Sequence, residues 1–205
     1  MATPTVGTAV TDPRRLHLAA DPAGNAILAE NPFALLVGMQ LDQQIPMDKA
    51  FSGPAVLRER LGGEFTPARV AAEPPDVVET ACAERPAVHR FPRAVATRLH
   101  ALAKVIVDEY DGDTAAIWTT AASGAELVAR ITALPGFGDQ KARIFTALLA
   151  KQFDVTPRGW KKAAGDYGLV GFRSVADVVD ATSLQRVREH KKAVKAAARS
   201  SVPGA

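Results

Sequence analysis

The sequence predicts an all-α protein, and three observations carry that expectation. Apolar residues recur at helical spacing on both sides of a short glycine turn. Leu127, Val128, Ile131 and Leu134 precede it, and Ala142, Ile144, Phe145, Leu148 and Leu149 follow it. Helix-start pairs recur along the chain: Asn31-Pro32, Thr66-Pro67, Pro74-Pro75 and Thr156-Pro157 each put proline where its missing N–H costs nothing. No segment shows a convincing strand pattern, and no internal repeat is present.

Residues 1–15 are rich in Thr, Pro and Gly and are expected to be disordered. Leu16-His17-Leu18 adds a short ordered segment, and Asp21-Pro22 opens a small helix to about Glu30. Asn31-Pro32 starts a helix over Pro32–Gln44 that is apolar nearly all round (Phe33, Leu35, Leu36, Val37, Met39, Leu41) and so should be the central buried one. Asp42, Gln43 and Gln44 then fall at its end, before Ile45-Pro46 closes it. Buried polar groups are costly without partners, so this end is expected to open onto a cleft.

A helix from Pro46 to Gly62 should be interrupted near Gly53-Pro54. Glu64 to Ala72 and Pro75 to Ala83 read as short helices, the second holding Cys82 as a small core residue. Phe91 to Tyr110 is a long amphipathic helix carrying Val95, Leu99, Leu102, Val105 and Ile106. Asp111-Gly112-Asp113 is a turn that lacks the oxygen ligands of a full calcium loop. Thr114 to Thr120 is a short helix with Trp118 as a packing residue.

Beyond the glycine turn a second helix runs to about Phe153, and Thr156-Pro157 starts another with Trp160, Lys161 and Lys162. Gly165, Gly168 and Gly171 mark a loop, and Ser174 caps a short helix to Val179. Ser183 to about Ser200 is a basic helix with Arg186, Arg188, His190, Lys191, Lys192, Lys195 and Arg199. The organisation expected is a disordered 1–15, a domain over 16–180, and a basic helix and tail over 181–205.

The turn itself reads Leu134-Pro135-Gly136-Phe137-Gly138-Asp139-Gln140-Lys141. Pro135 stops the first helix, Gly136 and Gly138 permit positive φ and close backbone approach, and Asp139 is placed to cap free amides. Backbone N–H groups at such a helix N-terminus suit a phosphate, and Lys141 and Arg143 add positive charge. Leu134 to Gly138 resembles the helix-hairpin-helix of the HhH-GPD base-excision DNA glycosylases, whose pattern is Leu-Pro-Gly-hydrophobic-Gly before a basic helix. Gln43-Gln44-Ile45, after its apolar run, resembles the family's second landmark, a buried helix whose Gln region faces the lesion.

The resemblance covers about Phe33 to Lys162 and carries several implications. The fold would be two helical subdomains with a cleft between them. Gly136, Phe137, Gly138, Gln140, Lys141 and Arg143 would bind DNA, with a monovalent cation at the hairpin backbone near Leu134 and Gly136. Asp42, Gln43 and Gln44 would line the base or lesion pocket; Gln amides offer both donor and acceptor to base edges. The partner would be duplex DNA containing a damaged base or abasic site, bound by a monomer.

The family cleaves the bond between an extruded base and its sugar, using a carboxylate beside an oxocarbenium-like transition state. Bifunctional members carry a Schiff-base lysine two residues after the second glycine, where this chain has Gln140. Lys141 lies one step on, turned by about 100°, and reads as a phosphate contact, so a monofunctional glycosylase is expected. For the carboxylate, Asp154 is the first candidate although it sits a few residues early; Asp177 is the second, and Asp166 the third. The alternatives are a non-catalytic binder of damaged or abasic DNA on the same scaffold, and an unrelated helical interaction module.

Composition bounds these readings. Cys82 is the single cysteine, which excludes an intrachain disulfide and the family's four-cysteine iron–sulfur cluster and fits a reducing cytoplasm; no cofactor is expected. No segment approaches a membrane span, and no signal-peptide pattern stands at the N-terminus. Residues 1–139 hold 12 Lys/Arg against 17 Asp/Glu, net −5, whereas residues 140–205 hold 13 against 5, net +8. The basic half begins at the hairpin's second helix, the footprint of a polyanion-binding face.

Overall fold

A computed structural model describes residues 16–200, with side chains to residue 196; the disorder expected for 1–15 and the tail beyond 200 lie outside the described residues. Every regular element among them is helical. In chain order these are α1 (Pro22–Glu30), α2 (Pro32–Leu41), α3 (Met47–Arg60), α4 (Pro67–Ala72), α5 (Pro75–Ala83), α6 (Pro92–Tyr110), α7 (Ala116–Thr119), α8 (Gly124–Ala133), α9 (Asp139–Gln152), α10 (Trp160–Ala164) and α11 (Ala181–Ser200). Short 3₁₀ turns stand at Gly165–Gly168 and Val175–Asp177.

Side-chain caps set several helix starts. Asp21 accepts from the Gly24 N–H at 2.7 Å, Asn31 from Ala34 at 3.1 Å, Thr66 from Arg69 at 3.2 Å and Ser123 from Glu126 at 3.2 Å. Each satisfies a donor that the first helical turn leaves free, and in α1, α2 and α4 the next residue is proline. α2 is the buried centre: every residue from Phe33 to Leu41 is inside. It packs along α3 and α1 and touches α6, while α4 and α5 cover another part of α6. Around α9 a second group gathers α8, α10 and both 3₁₀ turns, and α11 lies against the second turn.

Several boundaries differ from expectation. α2 ends at Leu41 rather than Gln44, because Asp42 (φ −69°, ψ 72°) and Gln44 (φ 60°) leave helical geometry. α3 runs through Gly53-Pro54 without a break: Met47, Ala50, Phe51, Gly53, Pro54 and Leu57 are all buried, and that burial offsets the roughly 3 kcal/mol cost of an interior proline. The Thr156-Pro157 start does not hold; the chain turns through Gly159 (φ 78°), and α10 begins only at Trp160. Ser174 caps a 3₁₀ turn rather than an α-helix, with Asp177 completing a reciprocal cap.

One close approach positions α10 and the loop beyond it. The Gly124 N–H donates to the Arg158 carbonyl at 2.9 Å, and a Cβ on Gly124 would come within 2.7 Å of the Trp160 backbone nitrogen. Backbone cannot rotate away as a side chain can. Gly124→Ala is therefore expected to cost about 1–3 kcal/mol, lowering the melting midpoint by about 2–4 °C per kcal/mol in a chain of this size. An unchanged midpoint in a thermal melt would show that α8 and α10 are not held this closely.

Candidate nucleic-acid interface

The hairpin is built from the end of α8 and the start of α9. Leu134 is buried, and Gly136 makes the turn at φ 84°. Phe137 packs partly into the core with its ring 6.3 Å from that of Phe145. Gly138 is extended (φ −127°, ψ 174°), a conformation open to any residue, so only Gly136 needs glycine's freedom. Asp139 does not cap α9: it is the first helical residue, and its Oδ2 accepts from Arg143 Nε at 2.8 Å. No side chain caps this helix, so its first-turn amides are left free, and a Cβ on Gly138 would meet nothing within 4 Å. Free donors, a positive helix end and open space in front of them suit an anion.

Beneath the turn lies Gln40, which inspection of the sequence missed. It is 5% exposed, on a helix otherwise filled with apolar side chains. Its Nε2 donates to the carbonyls of Pro135 (2.8 Å) and Arg98 (3.2 Å), tying α2 to the hairpin and to α6, while its Oε1 has no partner. The signal was a lone amide in a buried helix, which must find donors and acceptors from elsewhere in the fold.

Lys141 corrects a second expectation. It does not point outward to a phosphate; it is half-buried, its Nζ donates to the Gln40 carbonyl at 2.9 Å and lies 5.6 Å from the Phe137 ring centre. Burial lowers its pKa to about 8, with Asp42 opposing the shift and Arg98 adding to it. Asp42, just past the end of α2, is also half-buried. Burial raises its carboxyl above the usual range, and the positive charges of Lys191 and Lys141 pull it partly back.

The lysine has a consequence for stability. The folded chain releases the Lys141 proton near pH 8, whereas the unfolded chain holds it to the ordinary value of 10.5. Between those values the unfolded state binds more protons, so this residue makes stability rise with pH. In denaturant titrations, the stability of wild type minus that of Lys141→Met is expected to grow from pH 8 to pH 10.5. A constant difference would show that Lys141 is fully solvated.

Beside the hairpin, a cavity of about 600 Å³ lies between the first turns of α9, the turn at Gly165–Gly168 and α11. Gln140, Arg143, Asp166, Tyr167, His190 and Lys191 line it together with Ile144 and Arg173. Gln140 Nε2 donates to the Tyr167 hydroxyl at 2.9 Å, and Arg143 Nη1 to the Ala163 carbonyl at 2.8 Å. Asp42 is not among the residues that line this cavity; the charge of Lys191, which is, reaches it only as a through-space field. Gln43 and Gln44 stand elsewhere, exposed around a cavity of about 140 Å³ shared with His89, Phe91 and Arg98. There Arg98 donates to Gln43 Oε1 at 3.2 Å. His89 Nδ1 accepts from the Phe91 N–H at 3.1 Å, so its Nε2 is the donor to the Gln43 carbonyl at 2.7 Å.

The structure does not bring the first two carboxylate candidates to the hairpin. Asp154 is exposed at φ 56°, past the far end of α9; fourteen helical residues put it about 20 Å from the turn. Asp177 is half-buried and fully engaged, accepting from Lys151 Nζ at 2.6 Å and from the amides of Arg173 (2.9 Å) and Ser174 (3.1 Å). It holds a loop together. Of the three, only Asp166 reaches the cavity.

Among the described residues no cluster of three His, Cys, Asp or Glu side chains stands ready for a metal ion. The Leu134 carbonyl, near which the resemblance places a monovalent cation, accepts one hydrogen bond, from the Phe137 N–H at 3.1 Å. No helix among the described residues is long and apolar enough to cross a membrane. Comparison with known proteins finds no matching family model, no matching curated protein and no matching solved structure.

Proposed function

We propose that this chain is an HhH-GPD-type base-excision repair protein. In this reading it binds duplex DNA through the hairpin, receives an extruded base in the cavity between α9 and α11, and hydrolyses that base's N-glycosidic bond. One observation carries the reading: the uncapped N-terminus of α9, just after the Gly136 turn, adjoins a cavity of about 600 Å³ lined by Gln140, Arg143, Asp166 and Tyr167. Cavities of this size hold small ligands the size of a nucleobase.

The roles follow from position. The α9 amides grip the phosphate behind Gly136, and Gln140 and Tyr167 meet the base. The exposed amides of Gln43 and Gln44, and the ring of Phe91 (46% exposed, with the Arg90 guanidinium 4.6 Å above it), occupy the gap in the duplex. Asp42 opposes the positive charge that develops on the sugar as the bond to the base breaks. Water then supplies hydroxide to the sugar carbon and a proton to the departing base. Because Gln140 stands where the resembled bifunctional members carry their Schiff-base lysine, the product is an intact abasic strand.

A second reading is a binder of damaged or abasic DNA without catalysis. Burial favours the protonated form of Asp42, which could not stabilise a cation, and neither Asp154 nor Asp177 stands in its place. The deciding experiment incubates the protein with duplexes carrying uracil, hypoxanthine, 3-methyladenine, 8-oxoguanine or a T·G mismatch, then splits abasic sites with alkali. Cleavage of one substrate establishes the glycosylase. Retained binding of abasic DNA without release establishes the binder, and no DNA binding at low salt refutes both.

A further inference from the structure

The hairpin's second helix and α11 carry nine of the thirteen Lys/Arg of the basic half of the chain, but a second group of cations sits in the half whose net charge is −5. An open groove of about 820 Å³ runs between the start of α3 and the loop joining α5 to α6. Lys49, Arg85, His89 and Arg90 line it, and no carboxylate does. The nearby acids are engaged with other bases: Glu84 with Arg60 at 3.7 Å, Glu79 with Arg93 at 2.9 Å, and Asp48 with Arg188 at 3.8 Å. Lys49, Arg85 and Arg90 are exposed and pair with no carboxylate among the described residues.

This groove lies near the hairpin. His89 lines both the groove and the cavity at Gln43, and Arg98 lines that cavity in turn. Arg98 Cδ would lie 3.3 Å from a Cβ on Gly136, so the same arginine reaches the turn. The groove cations Lys49, Arg85 and Arg90 and the turn's neighbour Arg98 therefore line adjoining spaces that share the buried His89. They come from three separate parts of the chain, so no window of sequence reveals them together.

We infer that the groove of Lys49, Arg85 and Arg90 is a second backbone-binding surface, holding the phosphates of the same duplex beyond the hairpin. The inference rests on the DNA-binding reading above. Duplex DNA is the occupant that fits: its backbone is a regular line of negative charge, long enough to meet Arg98 beside the turn and the cations of the adjoining groove together. A small anion would occupy one cation; only an extended polyanion needs them all.

The test is the salt dependence of binding, measured by fluorescence anisotropy on the full chain with a duplex carrying a central abasic analogue. Each phosphate contact contributes about 0.9 to the slope of log affinity against log salt, so the triple variant Lys49→Ala, Arg85→Ala, Arg90→Ala is expected to flatten the slope by about 2–3. A control, Arg58→Ala with Lys104→Ala, removes exposed cations elsewhere and should leave the slope near wild type. All five side chains are exposed, so folding is not at stake. A slope unchanged in the triple variant, or lowered equally in the control, overturns the groove and leaves the hairpin reading standing. Failure of wild type to bind any duplex at low salt overturns both.

Discussion

Asp42→Asn is expected to slow base release by about 100-fold or more while leaving affinity for abasic DNA near that of wild type. The substitution keeps size and shape and removes only the charge. That charge matters because Asp42 is partly withdrawn from water, where its field is less screened. Its burial raises the pKa, so release should climb with pH through a range above that of an ordinary carboxylate, as Asp42 ionises. Asp154→Asn, about 20 Å from the turn, should change nothing. Full activity in Asp42→Asn with activity lost in Asp166→Asn would transfer the role to the carboxylate in the cavity wall. A thermal melt of each variant separates lost chemistry from lost structure.

The second large effect concerns the two hairpin glycines, which the structure makes unequal. Gly138→Ala adds a methyl in open space on an extended backbone, so stability should hold. The methyl stands before the free amides of α9, and affinity for duplex DNA should fall at least tenfold, or about 1.4 kcal/mol. Gly136→Ala should do two things at once. Its φ of 84° strains any side chain by about 1–3 kcal/mol, and the new Cβ would meet Gln40 Cγ and Nε2 at 3.1 Å. The amide bridge from Gln40 to Pro135 would shift, lowering both stability and affinity. If Gly138→Ala binds as wild type does, the phosphate does not sit on the start of α9.

Much of the secondary structure was readable from local signals. The Pro-led starts at residues 22, 32 and 67 hold because a side-chain cap and a proline act within four residues of each other, and the start at 75 holds on its prolines without a side-chain cap. α3 was misread because Pro54's penalty is local, while the burial that offsets it comes from other helices. The short α10 was misread for a related reason: the chain turns at Gly159 to bring Trp160 against Gly124.

The site divides in the same way. The sequence by itself determined the all-helical class, the buried helix at Pro32, the glycine turn at Leu134–Gly138 and the excess of positive charge after it. Each depends on residue type and short spacing. Only the tertiary structure decided which groups meet. It set Gln40 under Pro135, drew Lys141 inward to the Gln40 carbonyl, and left Asp42 half-buried within the fields of Lys141 and Lys191. It also left Asp154 at the wrong end of α9 and gathered Lys49, Arg85 and Arg90 along one groove. These are pairings across up to a hundred and more residues of chain, set by how helices pack, and burial and charge at a site exist only once that packing is complete.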